Sequence, residues 1–283
     1  MSIEFKKSNI NNISRYVNLY RKCFKNYPIK KNERYFQWLY SKNPIGNFIG
    51  IDAIENNLEI GQVGGIPYEF NYKGKKIKIL QSVNVCVDQN YRGKKLFYEM
   101  ATRLEQYAKK ENFLFIIAIA NQLATPAWQH SISMQFLSKL EALIGYGDLG
   151  LKDLKLYDNN FFSLWNKERI NWRKNNPYNR VSIISEEKKI KFTSPSVFSF
   201  FQVFSYITNT NYELTFNKKK FNFFLPNLFL GLIPEYKNKH LFLNIPDILK
   251  PSPLNFLYKD ITGTNNIIDK KSCFFSYLDF DAY

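Results

Sequence analysis

A helix between two apolar strands is the feature that most constrains the fold of this chain. Residues 113–120 read FLFIIAIA, a continuous apolar run of strand length bounded by Asn112 and Asn121. Such a run is typical of a strand that is buried on both faces of a sheet. Residues 77–87 predict a long strand before it, and residues 92–111 predict a connecting helix of about five turns. Together the three segments predict an α/β fold.

The pattern before and after this unit completes an αα-βββ-α-β-α order. Helices are predicted at residues 11–24, 33–40 and 125–140, and strands at residues 49–54, 59–66 and 68–72. The strand pair 59–72 reads either as two strands or as one bent strand. This order predicts a mixed sheet flanked by helices, with ligands at the ends of the central strands.

A weak internal repeat predicts a second copy of the same unit. Residues 33–54 and 168–185 both carry a tryptophan shortly before a proline and then pass into an alternating strand. The pairs are Trp38 with Pro44, and Trp172 with Pro177. A chance match over so few positions is the alternative. If the repeat is real, the boundary lies near residue 150, which gives domains at 1–150 and 151–283.

Composition places the chain among ordinary globular proteins. Hydrophobic residues make up 45% and charged residues 23%, which excludes a disordered or fibrous chain. The three cysteines, Cys23, Cys86 and Cys273, are far apart and odd in number, so neither a disulfide framework nor a zinc knuckle is predicted. No apolar run reaches the roughly 18 residues of a membrane span, and no signal peptide is visible. These features predict a protein of the cytoplasm.

The chain is strongly basic, with 40 Lys and Arg against 24 Asp and Glu and a net charge of +16. Short lysine runs are scattered over the whole length among many Asn, Ile, Phe and Tyr residues, as an AT-rich genome would produce. That account is favoured over an anionic small-molecule ligand, and a polynucleotide ranks last. Nucleic-acid binding would require the basic residues to gather on one face.

Residues 81–100, QSVNVCVDQNYRGKKLFYEM, carry the most chemical information. A strand ends near Val87, and Arg92-Gly93-Lys94-Lys95 opens the following helix. The N-terminus of a helix has unpaired N–H groups and the positive end of the dipole, so it suits a phosphate. Glycine lets the backbone approach the ligand, and three cations add charge. The alternative is an ordinary turn with a solvated basic first turn.

Residues 87–97, VDQNYRGKKLF, resemble the coenzyme A-binding signature of the GCN5-related N-acetyltransferase (GNAT) superfamily. That signature is an Arg/Gln-x-x-Gly-x-Gly/Ala turn between a hydrophobic strand and a helix. Arg92 opens it here, whereas Lys95 and Phe97 stand at the two glycine positions. The resemblance implies acetyl-CoA as the acyl donor. The implied donor-binding residues are Val85, Val87, Arg92, Gly93, Lys94, Lys95, Leu96, Phe97 and Asn121.

Residues 35–44, 61–67 and 278–281 are similar to bacterial acyltransferases that carry a second, degenerate copy of the fold. The resemblance implies a GNAT-like splayed sheet at 1–150 and a degenerate GNAT-like domain at 151–283, whose part in the acceptor site stays open. Those enzymes modify polysaccharides and amino sugars. The implied acceptor is therefore the primary amine of an amino sugar, free or nucleotide-linked. The alternatives are an aminoglycoside or peptide amine, a non-catalytic relative, or a nucleic-acid-binding protein.

Transfer from a thioester to an amine requires a neutral amine, a polarised carbonyl and a proton for the thiolate. His130 is predicted as the general base because the ordinary pKa of histidine is near neutrality. Glu69 and Asp88 are further candidates. The alternative is a surface or capping role for His130, and a solvated turn or strand carboxylate for Glu69 and Asp88. Trp128 stands where the resemblance implies a tyrosine acid, so another group or water protonates the thiolate. No metal is predicted, because no cluster has metal-ligand spacing.

Overall fold

A computed structural model describes residues 2–24, 32–150, 160–186, 189–195, 200–207, 225–236, 238–250 and 252–280. In chain order, the strands are β1 Glu4–Lys7, β2 Ile49–Glu55, β3 Leu58–Tyr72, β4 Lys75–Ser82, β5 Cys86–Val87, β6 Phe115–Ala120, β7 Gln135–Lys139, β8 Glu141–Gly145, β9 Phe161–Ser163, β10 Ser182–Glu186, β11 Lys189–Pro195, β12 Gln202–Ile207, β13 Asn227–Leu232, β14 Phe242–Asn244, β15 Asn255–Asp260 and β16 Cys273–Ser276. The helices are α1 Ile13–Cys23, α2 Glu33–Ser41, α3 Leu96–Lys110, α4 Ala124–Ile132 and α5 Lys167–Lys174.

The chain folds into two compact units, which differ from the predicted division at residue 150. Unit 1 comprises residues 1–68, 78–136 and 255–267, and unit 2 comprises residues 69–77, 137–254 and 268–283. Residues 255–267 belong to unit 1 because β15 pairs along the whole of β6, from Asn255 opposite Ala120 to Asp260 opposite Phe115. Pairing between strands so far apart in the chain leaves no local signal in the sequence.

Unit 1 contains a mixed sheet. β1 pairs with β2 and β2 with β3 in antiparallel fashion, β3 is adjacent to β4, and β4 runs parallel to β6. Helix α3 buries Met100, Ala101, Leu104 and Ala108, which lie in one apolar cluster with Val63 and Ile116. The predicted α/β architecture around a mixed sheet is therefore confirmed.

Helical periodicity places α1 and α2 correctly. Ile13, Tyr16, Val17 and Tyr20 are buried on one face of α1, as the spacing predicts. The side chain of Asn32 caps α2 by accepting a hydrogen bond from the Tyr35 amide. Residues 59–72 form one strand, β3, rather than two.

Three predicted elements differ from the structure because residues other than glycine adopt positive φ. The long strand 77–87 is interrupted after Ser82, near Asn84 at φ +52°. Helix α3 begins at Leu96 rather than at residue 92, because Arg92 is extended and both Gly93 and Lys95 have positive φ, with Lys95 at +59°. The predicted helix 125–140 is wrong beyond Ile132, where Ser133 at φ +55° ends α4 and β7 follows.

Unit 2 is mainly β-structure. β10, β11 and β12 pair in antiparallel order, β12 runs parallel to β13, and β8 pairs with β13 and β14. Residues 70–72 of β3 pair with β9, which runs parallel to β16. Trp172 is buried on α5, ahead of β10, as Trp38 is buried on α2 ahead of β2. That similarity agrees with the predicted repeat, which stays a prediction.

A buried ion pair joins α5 to the last described turn of unit 2. The Arg169 guanidinium lies 3.4 Å from the Asp279 carboxylate, and both side chains are almost fully buried. Arg173, one turn further along α5, donates from Nε to the Leu278 carbonyl at 2.8 Å. Asp279 also accepts from the Ser276 amide at 2.9 Å. Two buried guanidinium groups and one buried carboxylate therefore hold residues 276–279 against α5.

Within the described part of the chain, every helix is too short or too polar to cross a membrane.

Candidate active site

An opening forms in the sheet of unit 1 where two adjacent strands diverge. The parallel pairing of β4 with β6 runs from Ile79 opposite Phe115 to Ser82 opposite Ala118. Beyond Asn84 the chain continues as β5, which pairs with β3 through Gly61 opposite Val87. β6 meanwhile keeps its partner β15 on its other edge. Among the described strand pairs, none joins residues 83–87 to the end of β6, so the sheet is discontinuous there, next to Val85 and Val87.

A short turn connects β5 to α3. The Asp88 carboxylate accepts from the Asn90 amide at 3.0 Å and caps the 3-10 helix Gln89–Tyr91. Arg92 follows in an extended conformation, and its Nε donates to the Val87 carbonyl at 3.3 Å. Gly93 then adopts φ +80°, which favours glycine. Gly93 stands at a variable position of the signature, and its positive φ accounts for a glycine there.

The N-terminus of α3 has the features of an anion site. Lys95 occupies the cap position in the left-handed region, and its side chain forms no capping hydrogen bond. The first N–H groups of a helix have no acceptor within the helix, and they stand at the positive end of its dipole. Arg92, Lys94 and Lys95 are all exposed beside them. The predicted phosphate-binding residues are thus together in one turn.

Lys95 also explains how the turn tolerates the loss of a glycine. At φ +59° it adopts the backbone conformation for which glycine is favoured. A lysine there keeps the turn at an expense of about 1 kcal/mol in conformational energy. Relative to the signature, a lysine at this position adds a positive charge to the turn and keeps its left-handed backbone conformation.

The other departure from the signature, Phe97, packs against the other unexpected residue, Trp128. Their rings meet edge to face with centroids 5.0 Å apart, and Trp128 is buried. The pair joins the first turn of α3 to α4. Asn121 lies three residues before α4, and its side chain accepts from the Ala124 amide at 2.8 Å. Phe97 and Asn121 therefore have clear structural roles beside the opening.

The three predicted bases are not brought together. His130 is exposed on α4, with Nδ1 2.6 Å from the Pro126 carbonyl, and about 200° around the helix from Trp128. Asp88 already caps a turn. Glu69 belongs to unit 2, where its carboxylate is 2.6 Å from Lys76 Nζ. Their catalytic roles stay predictions. The described residues include no cluster of three or more His, Cys, Asp or Glu side chains arranged for a metal ion.

Sequence reasoning missed a buried polar centre on the neighbouring strands. Asp52 is only 1% exposed and accepts hydrogen bonds from Ser8 Oγ at 2.5 Å, Tyr16 Oη at 2.7 Å and Gln62 Nε2 at 2.9 Å. Burial raises the pKa of Asp52, and the three hydrogen bonds oppose that rise. The only local signal is a polar residue inside the apolar runs GIDAI and GQVGG.

Asp52 should give the stability of the protein a distinct pH dependence. A raised pKa in the folded state favours the protonated carboxyl, so this contribution is complete below the unfolded pKa and is lost as pH rises through the folded pKa. Asp52→Asn removes the titration. We expect the free energy of unfolding of the variant to increase, relative to the wild type, as the pH rises above about 4, the ordinary pKa of an aspartate. Denaturant unfolding at several pH values measures the difference, and a constant difference would contradict the assignment.

Comparison with known proteins agrees with this geometry. Residues 4–125 match the model of an acetyltransferase (GNAT) domain. The fold is similar to that of a probable N-acyltransferase from Enterococcus faecalis, with 10% identity and a TM-score of 0.64 over 92% of this chain and 73% of that one. It is also similar to Eis1 from Mycobacterium abscessus, with 6% identity and a TM-score of 0.60 over 92% of this chain and 74% of that one.

A GCN5-related N-acetyltransferase from Anabaena variabilis has the same fold, with 10% identity and a TM-score of 0.61 over 92% of this chain and 73% of that one. No curated protein matches the sequence. At such low identity the structural likenesses establish the fold, and the family match adds the type of domain. The family match covers residues 4–125, which is less than half of the chain, and the likeness of the fold extends over 92% of it.

Proposed function

We propose that this protein transfers an acetyl group from acetyl-CoA to a primary amine of a small molecule. The observation that carries the proposal is the uncapped N-terminus of α3, which lies directly after the diverging strand β5. The pyrophosphate binds the N–H groups and cations of residues 92–97. The pantetheine arm extends into the opening beside Val85 and Val87.

The chemistry then follows from the position of the thioester between the strands. The amine nitrogen attacks the carbonyl carbon, the C–S bond breaks, and the thiolate takes up a proton while the amine loses one. Backbone N–H groups at the opening polarise the carbonyl. Holding donor and acceptor in one cleft supplies much of the rate. Because Trp128 has no acidic proton near neutral pH, water or another group protonates the thiolate.

The general base belongs to the same proposal. Asp88 directly follows Val87 at the mouth of the opening, which favours it over the exposed His130 on α4. Glu69 is held by Lys76 in unit 2. An amino-sugar amine is less basic than a lysine amine, so it needs less help from any base.

We further propose a nucleotide-linked amino sugar as the acceptor. The chain carries a net charge of +16, which attracts an anionic acceptor and repels a polycation. An aminoglycoside carries several positive charges, whereas a nucleotide-linked sugar carries a diphosphate. The charge balance therefore favours the nucleotide-linked sugar over the aminoglycoside.

This proposal is tested by measuring the rate at which free coenzyme A is released with each of a panel of acceptors. We expect kcat/KM to be highest for a nucleotide-linked amino sugar, lower for the free amino sugar, and lowest for an aminoglycoside or a lysine peptide. The advantage of the nucleotide-linked acceptor should shrink as salt screens the charge. A preference for the aminoglycoside would contradict the proposed acceptor. Donor binding without turnover on any acceptor would instead indicate a non-catalytic relative.

A further inference from the structure

A row of polar contacts runs along the interface between α1 and the sheet of unit 1. Asp52, Gln62 and Cys86 lie directly opposite one another on β2, β3 and β5. Helix α1 meets this row with Tyr16 and Tyr20, one turn apart. Tyr16 donates to Asp52 at 2.7 Å, and Tyr20 donates to the Gln62 carbonyl oxygen. The contacts therefore follow the sheet from one strand to the next.

The row continues to Asn84, which lies between the end of β4 at Ser82 and the start of β5 at Cys86. The hydroxyl oxygens of Tyr20 and Tyr40 are 2.8 Å apart, and Asn84 Nδ2 donates to the Tyr40 hydroxyl at 3.3 Å. Both tyrosines are fully buried. A continuous chain of hydrogen bonds thus connects Asn84, beside the opening, to the Asp52 carboxylate.

The direction of this chain is fixed by the number of protons available. Tyr20 has one hydroxyl proton, which it gives to Gln62. Tyr40 must therefore donate to the Tyr20 oxygen, and its own oxygen is left to accept from Asn84. Gln62 in turn donates to Asp52. Aligned hydrogen bonds of this kind polarise one another toward the carboxylate.

Asn84 occupies the position that decides whether the opening exists. Its φ of +52° interrupts the strand, so that β4 pairs with β6 before it and β5 pairs with β3 after it. An irregularity of this type redirects a strand and commonly lies beside an active site. Asn tolerates the left-handed region better than most residues, but its conformation still has to be held. The Tyr40 hydroxyl supplies that hold from helix α2.

We propose that Tyr40 and Asn84 are positioning residues for acetyl transfer, whose hydrogen bond keeps β5 separated from β6 so that the acyl donor can enter. Neither residue need touch the donor. This inference takes acetyl-CoA as the ligand, and in that respect it rests on the proposed function. The geometry of the strand interruption does not, and it can be measured separately.

Tyr40→Phe is the most selective test. It removes the hydroxyl but keeps the ring, which stacks on Phe48 with centroids 4.0 Å apart. Loss of one neutral hydrogen bond should raise the Kd for acetyl-CoA by about 3- to 10-fold in calorimetry. Amide hydrogen exchange at residues 83–87 should become faster without donor present. Tyr35→Phe, at another fully buried tyrosine of α2, is the control and should leave both measurements near the wild-type values.

A double-mutant cycle with Asn84→Gly separates positioning from general destabilisation. Glycine accepts the positive φ but lacks the amide side chain. Asn84→Gly should therefore weaken donor binding to the same degree as Tyr40→Phe. Because both changes break one hydrogen bond, the double variant should be no worse than either single variant. Wild-type donor affinity and exchange in Tyr40→Phe, or additive losses in the cycle, would overturn the inference. If the wild type itself binds no acetyl-CoA, the proposed function fails, and the exchange rates still decide whether Tyr40 holds the strand.

Discussion

Gly93→Glu is expected to weaken acetyl-CoA binding by roughly 100-fold or more, which is about 2.7 kcal/mol. The new carboxylate would stand among the N–H groups at the start of α3, where it satisfies them and repels the donor's phosphates. Two like charges about 4 Å apart near a protein surface repel by roughly 4 kcal/mol, so the expected loss is well within reach. Calorimetric titration with acetyl-CoA measures it.

The chain offers a closely matched control at Gly74. Gly93 has φ +80° and Gly74 has φ +78°, and an added Cβ at either meets no atom within 4 Å. Gly74→Glu therefore introduces the same backbone strain and the same charge, but in the hairpin turn between β3 and β4. It should leave donor affinity unchanged. If Gly93→Glu also binds like the wild type, the phosphate site has been placed in the wrong turn.

Asp279→Asn is expected to lower the free energy of unfolding by about 3–5 kcal/mol. Asp279 is 1% exposed and is the carboxylate partner of Arg169, which is fully buried. An amide of the same shape removes the counter-charge and leaves two guanidinium groups in the interior of unit 2. A buried charge that has lost its partner is far more destabilising than a lost surface ion pair.

Asp247→Asn is the control for this second prediction. Its exposed carboxylate lies 2.7 Å from Lys139 Nζ and 2.9 Å from Lys250 Nζ, so water can replace both contacts. We expect a far smaller change in denaturant unfolding than for Asp279→Asn. Equal losses of unfolding free energy in the two variants would mean that burial does not determine how much the Arg169–Asp279 pair contributes to stability.

The local sequence pattern was sufficient to predict helices and strands that have one face or both faces buried. The apolar run 113–120 contains β6, and the spacing of apolar residues in 11–24 contains α1. Local pattern failed at Ser133 and Asn84, where a residue other than glycine takes positive φ and ends an element. It also failed for β15, because its partner β6 lies more than a hundred residues earlier.

The turn that we propose to bind the donor stands out in the sequence because its charges and its glycine are contiguous. The Phe97–Trp128 contact and the chain from Asn84 to Asp52 were not, because they depend on how separate elements align. Asp52 and Gln62 each look like an isolated polar residue in an apolar strand. Only the register of β2, β3 and β5 places them in one row beneath α1.

The central claim is that the turn before α3 binds the pyrophosphate of the donor. Calorimetric titration of the wild-type protein with acetyl-CoA and with S-acetyl-pantetheine tests it most directly, since the shorter thioester lacks the pyrophosphate and the nucleotide. We expect acetyl-CoA to bind at least about 100-fold more tightly. Equal affinities for the two thioesters, or no binding of acetyl-CoA, would contradict the account.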